Sequence, residues 1–233
     1  MSARGRKRAT SDAPLIVDID TGASRKRTTD ANEAEWYPTP TSAILPLLEC
    51  ADLRLPAGVW IDPCAGTGRI PTVVNSTRAD VRWLLVELDE RHRPHLSVAR
   101  RNCDALLPFG DFVHREWPHP VAEVAIMNPP FSHAQAFVEA CQARARIVVM
   151  LQRRNWMAPA RADWLRGNMP DEYVLAERPS FTGDGKTDAA EYSWFVWGAG
   201  GARRPTSRNV GEVRMLRPAG ATKQSDLFGA VAP

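Results

Sequence analysis

Three short segments of the sequence carry side chains that could bind a ligand or position a reacting group. The first is a glycine-rich turn at 62–68, whose glycines would let the backbone approach a ligand closely because they lack a Cβ atom. The second is Glu87, 25 residues after Asp62, whose carboxylate can accept hydrogen bonds from both hydroxyls of a ribose. The third is the tetrapeptide 128–131, Asn-Pro-Pro-Phe, which can hold an amino group.

The tetrapeptide is the most specific of the three. Its two prolines fix two φ angles and remove two donors, so the carbonyls point in predetermined directions. The Asn128 side chain adds an acceptor beside the Pro129 carbonyl, and two acceptors converging on an amino group would hold and polarise it. Phe131 offers a flat face for stacking a base, a contact worth roughly 1–3 kcal/mol.

Each segment also has a purely structural interpretation. The glycines could serve only the packing of a strand-to-helix turn, and Glu87 could be a solvated acid at the end of a strand. The two prolines could simply end a strand, with Phe131 in the core. The three segments together favour a binding site over these alternatives.

Alternating structural elements must position these segments. Short apolar runs bounded by polar or turn residues indicate buried parallel strands, with helices between them, and therefore an α/β fold with a mostly parallel sheet. Ligands of such sheets bind outside the carboxyl ends of the strands, where all three segments are expected to lie on one rim. The predicted strands are 59–61, 81–86, 121–127, 146–151 and 192–197.

The composition excludes several classes of protein. Of the 233 residues, 44% are hydrophobic and 24% are charged, which is typical of a soluble globular chain. No apolar run approaches the ~20 residues of a membrane helix, and we expect no signal peptide. The four cysteines form no paired motif, so we expect neither a metal site nor disulfides, and a reducing, cytoplasmic environment.

The charges divide the chain into three parts. Residues 1–30 and 203–233 carry net charges of +3 and +4, whereas the residues between them carry −4. We predict a disordered basic tail at 1–34, a globular domain at 35–198 and a flexible basic tail at 199–233. Such tails could meet a polyanion or could merely keep the chain soluble.

Basic residues alternate with aromatic ones in the segment 152–190, which is long for a plain connection. This pattern suits a nucleic-acid backbone and exposed bases. A solvated amphipathic helix is the alternative. The predicted nucleic-acid contacts are Arg153, Arg154, Trp156 and Arg161.

Two motifs resemble those of a known family. The segment 62–68 resembles the cofactor loop of class I S-adenosylmethionine-dependent methyltransferases, and 128–131 resembles the catalytic motif of enzymes that methylate adenine N6 in DNA. The resemblance covers about 36–198, and 178–197 is similar to the later segment of small adenine methyltransferases of phages and prophages. It implies a Rossmann-like, mostly parallel seven-stranded sheet flanked by helices, S-adenosylmethionine as the cofactor, and DNA methylation of the kind found in phages and restriction–modification systems.

The resemblance also implies roles for individual residues. Asn128, Pro129, Pro130 and Phe131 would be catalytic. The loop 62–68 would hold the methionine part of the cofactor, Glu87 its ribose, and Leu88 its adenine. Asp111 would lie near the amino group of that adenine, with Phe112 beside the ring, and the motif 37–40 would close over the methionine end. The implied cofactor-binding residues are Tyr37, Thr39, Asp62, Pro63, Cys64, Ala65, Gly66, Gly68, Glu87, Leu88, Asp111 and Phe112.

Some alternatives stay open at the level of sequence. Enzymes with related Asn-Pro-Pro motifs methylate RNA or protein amides, and a methyltransferase-like subunit that binds nucleic acid without transferring a methyl group is a third possibility. A target base in DNA would be flipped out or single-stranded. The segment 224–228 resembles the peptide with which bacterial enzymes dock on the replication sliding clamp, although it could be an ordinary tail. A DNA-modifying chain would act at the nucleoid of a bacterial or phage-infected cell.

Overall fold

The computed structural model of the chain describes most of the predicted globular domain. The N-terminal tail 1–34 and the clamp-like segment 224–228 lie outside the described residues. No helix in the described part of the chain is both long and apolar enough to cross a membrane. The described ranges are 37–92, 94–96, 103–106 without its side chains, 110–182, 184–187, 189–198 and 213–216.

A single sheet forms the centre of the molecule. Its strands are β1 Gly58–Asp62, β2 Val81–Leu85, β3 Cys103–Leu106, β4 Ala122–Met127, β5 Ala145–Arg153, β6 Asp171–Leu175, β7 Tyr192–Trp197 and β8 Val213–Leu216. They lie in the order β3-β2-β1-β4-β5-β7-β6-β8. The first five strands run parallel, β7 runs antiparallel to both of its neighbours, and β8 is parallel to β6. The mostly parallel α/β architecture predicted from the sequence is confirmed.

The sheet has one strand more than predicted, and three strands were missed. The extra strand β8 lies inside the segment 199–233 predicted to be a flexible tail, so that prediction is wrong for 213–216. β3, β6 and β8 lack the continuous apolar run of a buried parallel strand, because Asp104 interrupts β3, Asp171 and Glu172 begin β6, and Arg214 interrupts β8. The direction of β7 differs from prediction because an apolar run does not encode strand direction.

Helices cover both faces of the sheet. Because alternate residues of a strand point to opposite faces, Val124 and Ile126 of β4 join one core cluster, and Ala125 and Met127 join the other. The first two helices pack in the first cluster and the third packs in the second. This arrangement explains why the central strands are apolar on both faces. The helices are α1 Thr41–Leu48, α2 Arg69–Thr77, α3 Ala134–Gln142 and α4 Ala162–Arg166.

Candidate active site

The carboxyl ends of β1, β2 and β4 meet at one edge of the sheet. β1 pairs in parallel with β2, where Asp62 is level with Leu85, and with β4, where Ile61 is level with Ala125. The residues that follow these strands therefore emerge side by side. The expectation that the glycine turn, Glu87 and the Asn-Pro-Pro-Phe tetrapeptide share one rim is confirmed.

The glycine turn needs glycine at two positions. Gly66 and Gly68 have φ angles of +53° and +76°, in the left-handed region that residues with a Cβ atom rarely adopt. Gly68 immediately precedes α2, and its N–H donates to the carbonyl of Ala65 at 2.7 Å. The Ala65 N–H donates to the Val86 carbonyl at 2.9 Å. The turn is thus held against the end of β2.

The Glu87 carboxylate binds this turn directly. One oxygen accepts the Gly66 N–H at 2.5 Å, and the other accepts the Asp89 N–H at 2.8 Å. A carboxylate has about four acceptor sites, so capacity remains for two further donors such as ribose hydroxyls. The next residue, Leu88, has 66% of its surface exposed, which leaves an apolar patch beside a buried acid.

Asp62 lies beneath the turn and not at its surface. Its side chain is buried, and one carboxylate oxygen accepts the Cys64 N–H at 3.3 Å. Burial raises the pKa of Asp62 well above 3.8; the hydrogen bond from Cys64 lowers it, and the negative charge of Glu87 raises it further. Asp62 therefore supports the loop from below.

Asn128 connects the tetrapeptide to the segment that precedes α1. Its Nδ2 donates to the Tyr37 carbonyl at 3.2 Å and to Thr39 Oγ1 at 3.1 Å. Its backbone N–H faces the thiol of Cys64 in the glycine turn. Burial raises the pKa of that thiol, and the Asn128 N–H opposes the shift. These contacts bring the three predicted motifs 37–40, 62–68 and 128–131 into one site.

Aromatic rings surround the tetrapeptide. The Phe131 ring lies 6.2 Å from the Tyr37 ring, centre to centre, with 17° between their planes. The Arg153 guanidinium lies 4.6 Å from the centre of Phe131 and donates to the Tyr192 hydroxyl at 3.2 Å. Phe181 in turn contacts both Tyr37 and Tyr192. Phe181 and Tyr192 belong to the segment 178–197 that resembles the phage enzymes, but no feature of the sequence alone predicts that they reach the tetrapeptide.

The cavity beside the tetrapeptide is small. Tyr37 and the residues 128–131 line a volume of about 10 Å³, which holds at most one water molecule. The cavity as it stands is too small for a ring-sized ligand. Tyr37, with 44% of its surface exposed, is the most exposed of the lining residues.

Two residues predicted near a ligand adenine differ in their surroundings. Asp111 is exposed, accepts the Val113 N–H at 2.9 Å and contacts His114, which lowers the pKa of the Asp111 carboxyl. Phe112 is buried and stacks on Phe137 at 6.1 Å, with 7° between the ring planes. The prediction that the Phe112 ring lies beside a ligand is wrong for this structure, because that ring is part of the core.

Trp156 is also a core residue. Only 4% of its surface is exposed, and its ring packs against Trp164, Phe195 and Trp197. The prediction that Trp156 contacts nucleic acid is therefore wrong, since no face of its ring is available to a base. The alternation of basic and aromatic residues arises because the aromatic residues turn inward to cover the sheet.

The arginines predicted to contact nucleic acid interact to different degrees with other residues of the chain. Arg154 pairs with the buried Glu172 at 2.8 Å, and Arg161 donates to the Trp156 carbonyl at 2.9 Å. Both anchor the segment that follows β5. Arg153 alone of the four lies against the tetrapeptide. Within the described ranges no cluster of side chains suited to a metal ion occurs.

Comparison with known proteins identifies the fold. No protein family and no curated protein match the sequence. The structure is similar to a candidate RNA methyltransferase from Pyrococcus horikoshii, with 17% identity, a TM-score of 0.52, and coverage of 70% of this chain and 87% of that one. It is also similar to a predicted O-methyltransferase from Agrobacterium tumefaciens, with 14% identity, a TM-score of 0.51, and coverage of 75% and 84%. The chain thus has the Rossmann-like fold of class I methyltransferases.

Proposed function

We propose that this chain uses S-adenosylmethionine to methylate the N6 amino group of adenine in DNA. The observation that carries the proposal is the position of Asn128. Both Nδ2 hydrogens of Asn128 have acceptors in the segment 37–39, which leaves its Oδ1 as an acceptor for a ligand, with the Pro129 carbonyl next to it in the chain. That pair matches the two hydrogens of an aromatic amine.

The residues of the turn fit the proposed cofactor. Gly66 and Gly68 adopt backbone angles at which a residue with a Cβ atom would be strained, Glu87 retains acceptor capacity for two hydroxyls, and the exposed Leu88 suits an adenine face. S-adenosylmethionine, when bound, supplies a methyl group on a sulfonium, which has a neutral leaving group. The loop 62–68 would hold its methionine part, with Thr39 and Tyr37 close by.

The side chains of the tetrapeptide would orient the amine. An adenine amine is conjugated with its ring and is a poor nucleophile. Hydrogen bonds from N6–H to Asn128 Oδ1 and to the Pro129 carbonyl favour the pyramidal form and stabilise the positive charge that develops on nitrogen. Orientation of this kind is worth up to ~7–11 kcal/mol. The methylated nitrogen releases its proton readily, so the chain needs no strong base.

The target base would have to leave its stack to reach this rim, at a cost of a few kcal/mol. Stacking on Phe131 would offset part of that cost, after displacement of Tyr37 from the Phe131 ring. Arg153 lies on the same aromatic group and is the best-placed cation for an adjacent phosphate. The net positive charge of both terminal segments favours a nucleic acid over a protein as the substrate, and the resemblance of the tetrapeptide favours DNA.

To test this proposal, the chain is incubated with radiolabelled S-adenosylmethionine and with DNA, RNA or protein, and the label transferred to each acceptor is measured. We expect label in DNA, loss of transfer with retained cofactor affinity in Asn128→Ala, and weakened cofactor binding in Glu87→Ala, measured by titration calorimetry. Label only in RNA or protein would reject the DNA assignment. No transfer to any acceptor would reject the enzymatic one.

A further inference from the structure

We propose that Thr39 is a positioning residue that, together with the Tyr37 carbonyl, holds the Asn128 amide in its orientation. This inference rests on the proposed function and assigns Thr39 a role toward the acceptor amine, in addition to the cofactor role that the sequence resemblance implied. Its basis is the hydrogen bond of 3.1 Å between Asn128 Nδ2 and Thr39 Oγ1.

The partners of an asparagine amide decide which of its two ends faces the substrate. The Tyr37 carbonyl can only accept, so the 3.2 Å contact requires the nitrogen of Asn128 on that side. Thr39 Oγ1 accepts the second N–H of the same nitrogen. Both N–H groups are thereby used. Among the described residues, none donates a hydrogen bond to Oδ1 of Asn128.

The segment that supplies these acceptors is well anchored. Thr39 is 4% exposed, so water does not compete for its hydroxyl. Prolines on both sides of Thr39 restrict the backbone, and α1 begins at Thr41, directly after Pro40. The carbonyl of Ala43 in α1 accepts the indole N–H of the buried Trp194 at 2.8 Å, which ties this segment to the sheet.

The orientation matters because an amine that reacts through its lone pair directs its hydrogens at the protein. Asn128 Oδ1 can accept one of these hydrogens. An amide rotated by 180° would present Nδ2 there, and two donors would face each other. The Tyr37 carbonyl opposes this rotation, because it has no hydrogen to donate to Oδ1. The Thr39 hydroxyl, which can donate or accept, adds the second hydrogen bond that holds the amide group in place. Removal of the Thr39 hydroxyl should therefore slow transfer without abolishing it.

The test compares Thr39→Val, which keeps the shape but removes the acceptor, with Thr39→Ser, which keeps the hydroxyl. We expect Thr39→Val to lower kcat by about tenfold or more while the Kd for S-adenosylmethionine stays within about twofold, and Thr39→Ser to recover most of kcat. An unchanged kcat in Thr39→Val would overturn the inference. Equal losses of kcat and cofactor affinity would also overturn it, because they would make Thr39 a cofactor contact only.

A second readout does not depend on activity. The side-chain amide signals of Asn128 in ¹⁵N spectra, assigned by their loss in Asn128→Ala, should shift in Thr39→Val and return toward their original positions in Thr39→Ser. Such shifts in a chain that transfers no methyl group would support the contact while the proposed function failed. A wild-type chain that transfers methyl groups, with Asn128 signals unaffected by Thr39→Val, would overturn the inference and leave the function intact.

Discussion

Asp62 and Glu87 place two carboxylates under the same glycine turn, but in different surroundings. The Glu87 carboxylate accepts the backbone N–H groups of Gly66 and Asp89. The Asp62 carboxylate accepts one long hydrogen bond, from the Cys64 N–H. Glu87 is therefore suited to meet a ligand, and Asp62 shapes the loop. The sequence predicted that both residues belong to the site, but the hydrogen bonds that separate their roles depend on strand pairing that no single motif encodes.

The raised pKa of Asp62 predicts a pH dependence of stability. The folded chain holds this proton at pH values at which the unfolded chain, with a pKa near 3.8, has lost it. The free energy of unfolding contributed by Asp62 therefore falls as pH rises from about 4 through the raised folded pKa. In Asp62→Asn this loss is absent. We expect the stability difference, variant minus wild type, to grow over that window in urea unfolding.

Asp111→Asn is the matched control. Contact with His114 lowers the pKa of Asp111, so its contribution is present above 3.8 and is lost as pH falls through the folded pKa. Its variant should follow the opposite trend, with a smaller amplitude because the side chain is exposed. A stability difference for Asp62→Asn that does not vary with pH would contradict the burial argument.

The strands that build the site could be predicted because they are buried on both faces. β1, β4 and β5 are apolar at successive positions, and the polar residues that follow β1 and β4 stand out for that reason. β6 could not be predicted in this way. Its Glu172 is a buried acid that depends on Arg154 and the Ser193 hydroxyl, partners 18 and 21 residues away in sequence. Such compensation is visible only in the folded chain.

The role of Trp156 depends on how its segment packs in the fold. In sequence it lies among arginines, and in the structure it packs under them against two tryptophans and a phenylalanine. Trp156→Ala should lower the free energy of unfolding by about 3–5 kcal/mol in urea denaturation, because a large buried ring is lost. Trp156→Phe, which retains an aromatic ring, should lose less. Unchanged stability with a weakened affinity for DNA would restore the nucleic-acid role and contradict the structure.

At the scale of the whole molecule, the charges are segregated. The terminal segments carry net charges of +3 and +4, and the residues between them carry −4. We propose that these segments contribute to binding a polyanion such as DNA. An affinity for DNA that falls with added salt is the expected signature.

The segment 224–228 is proposed as a docking peptide for a sliding clamp. Deletion of 224–228 should abolish co-elution with a bacterial clamp on gel filtration and leave methyl transfer to free DNA unchanged. A chain with these five residues scrambled serves as the control for length and composition. Co-elution that survives both changes, or none with the intact chain, would contradict the proposal.

We propose that the rim formed by β1, β2 and β4 brings a methyl donor and an exocyclic nitrogen together. The most direct measurement is the identity of the product: DNA incubated with the chain and S-adenosylmethionine is digested to nucleosides and analysed by mass spectrometry. We expect N6-methyl-2′-deoxyadenosine from the wild-type chain and none from Asn128→Ala. A methylated cytosine in its place, or product of equal yield from Asn128→Ala, would contradict it.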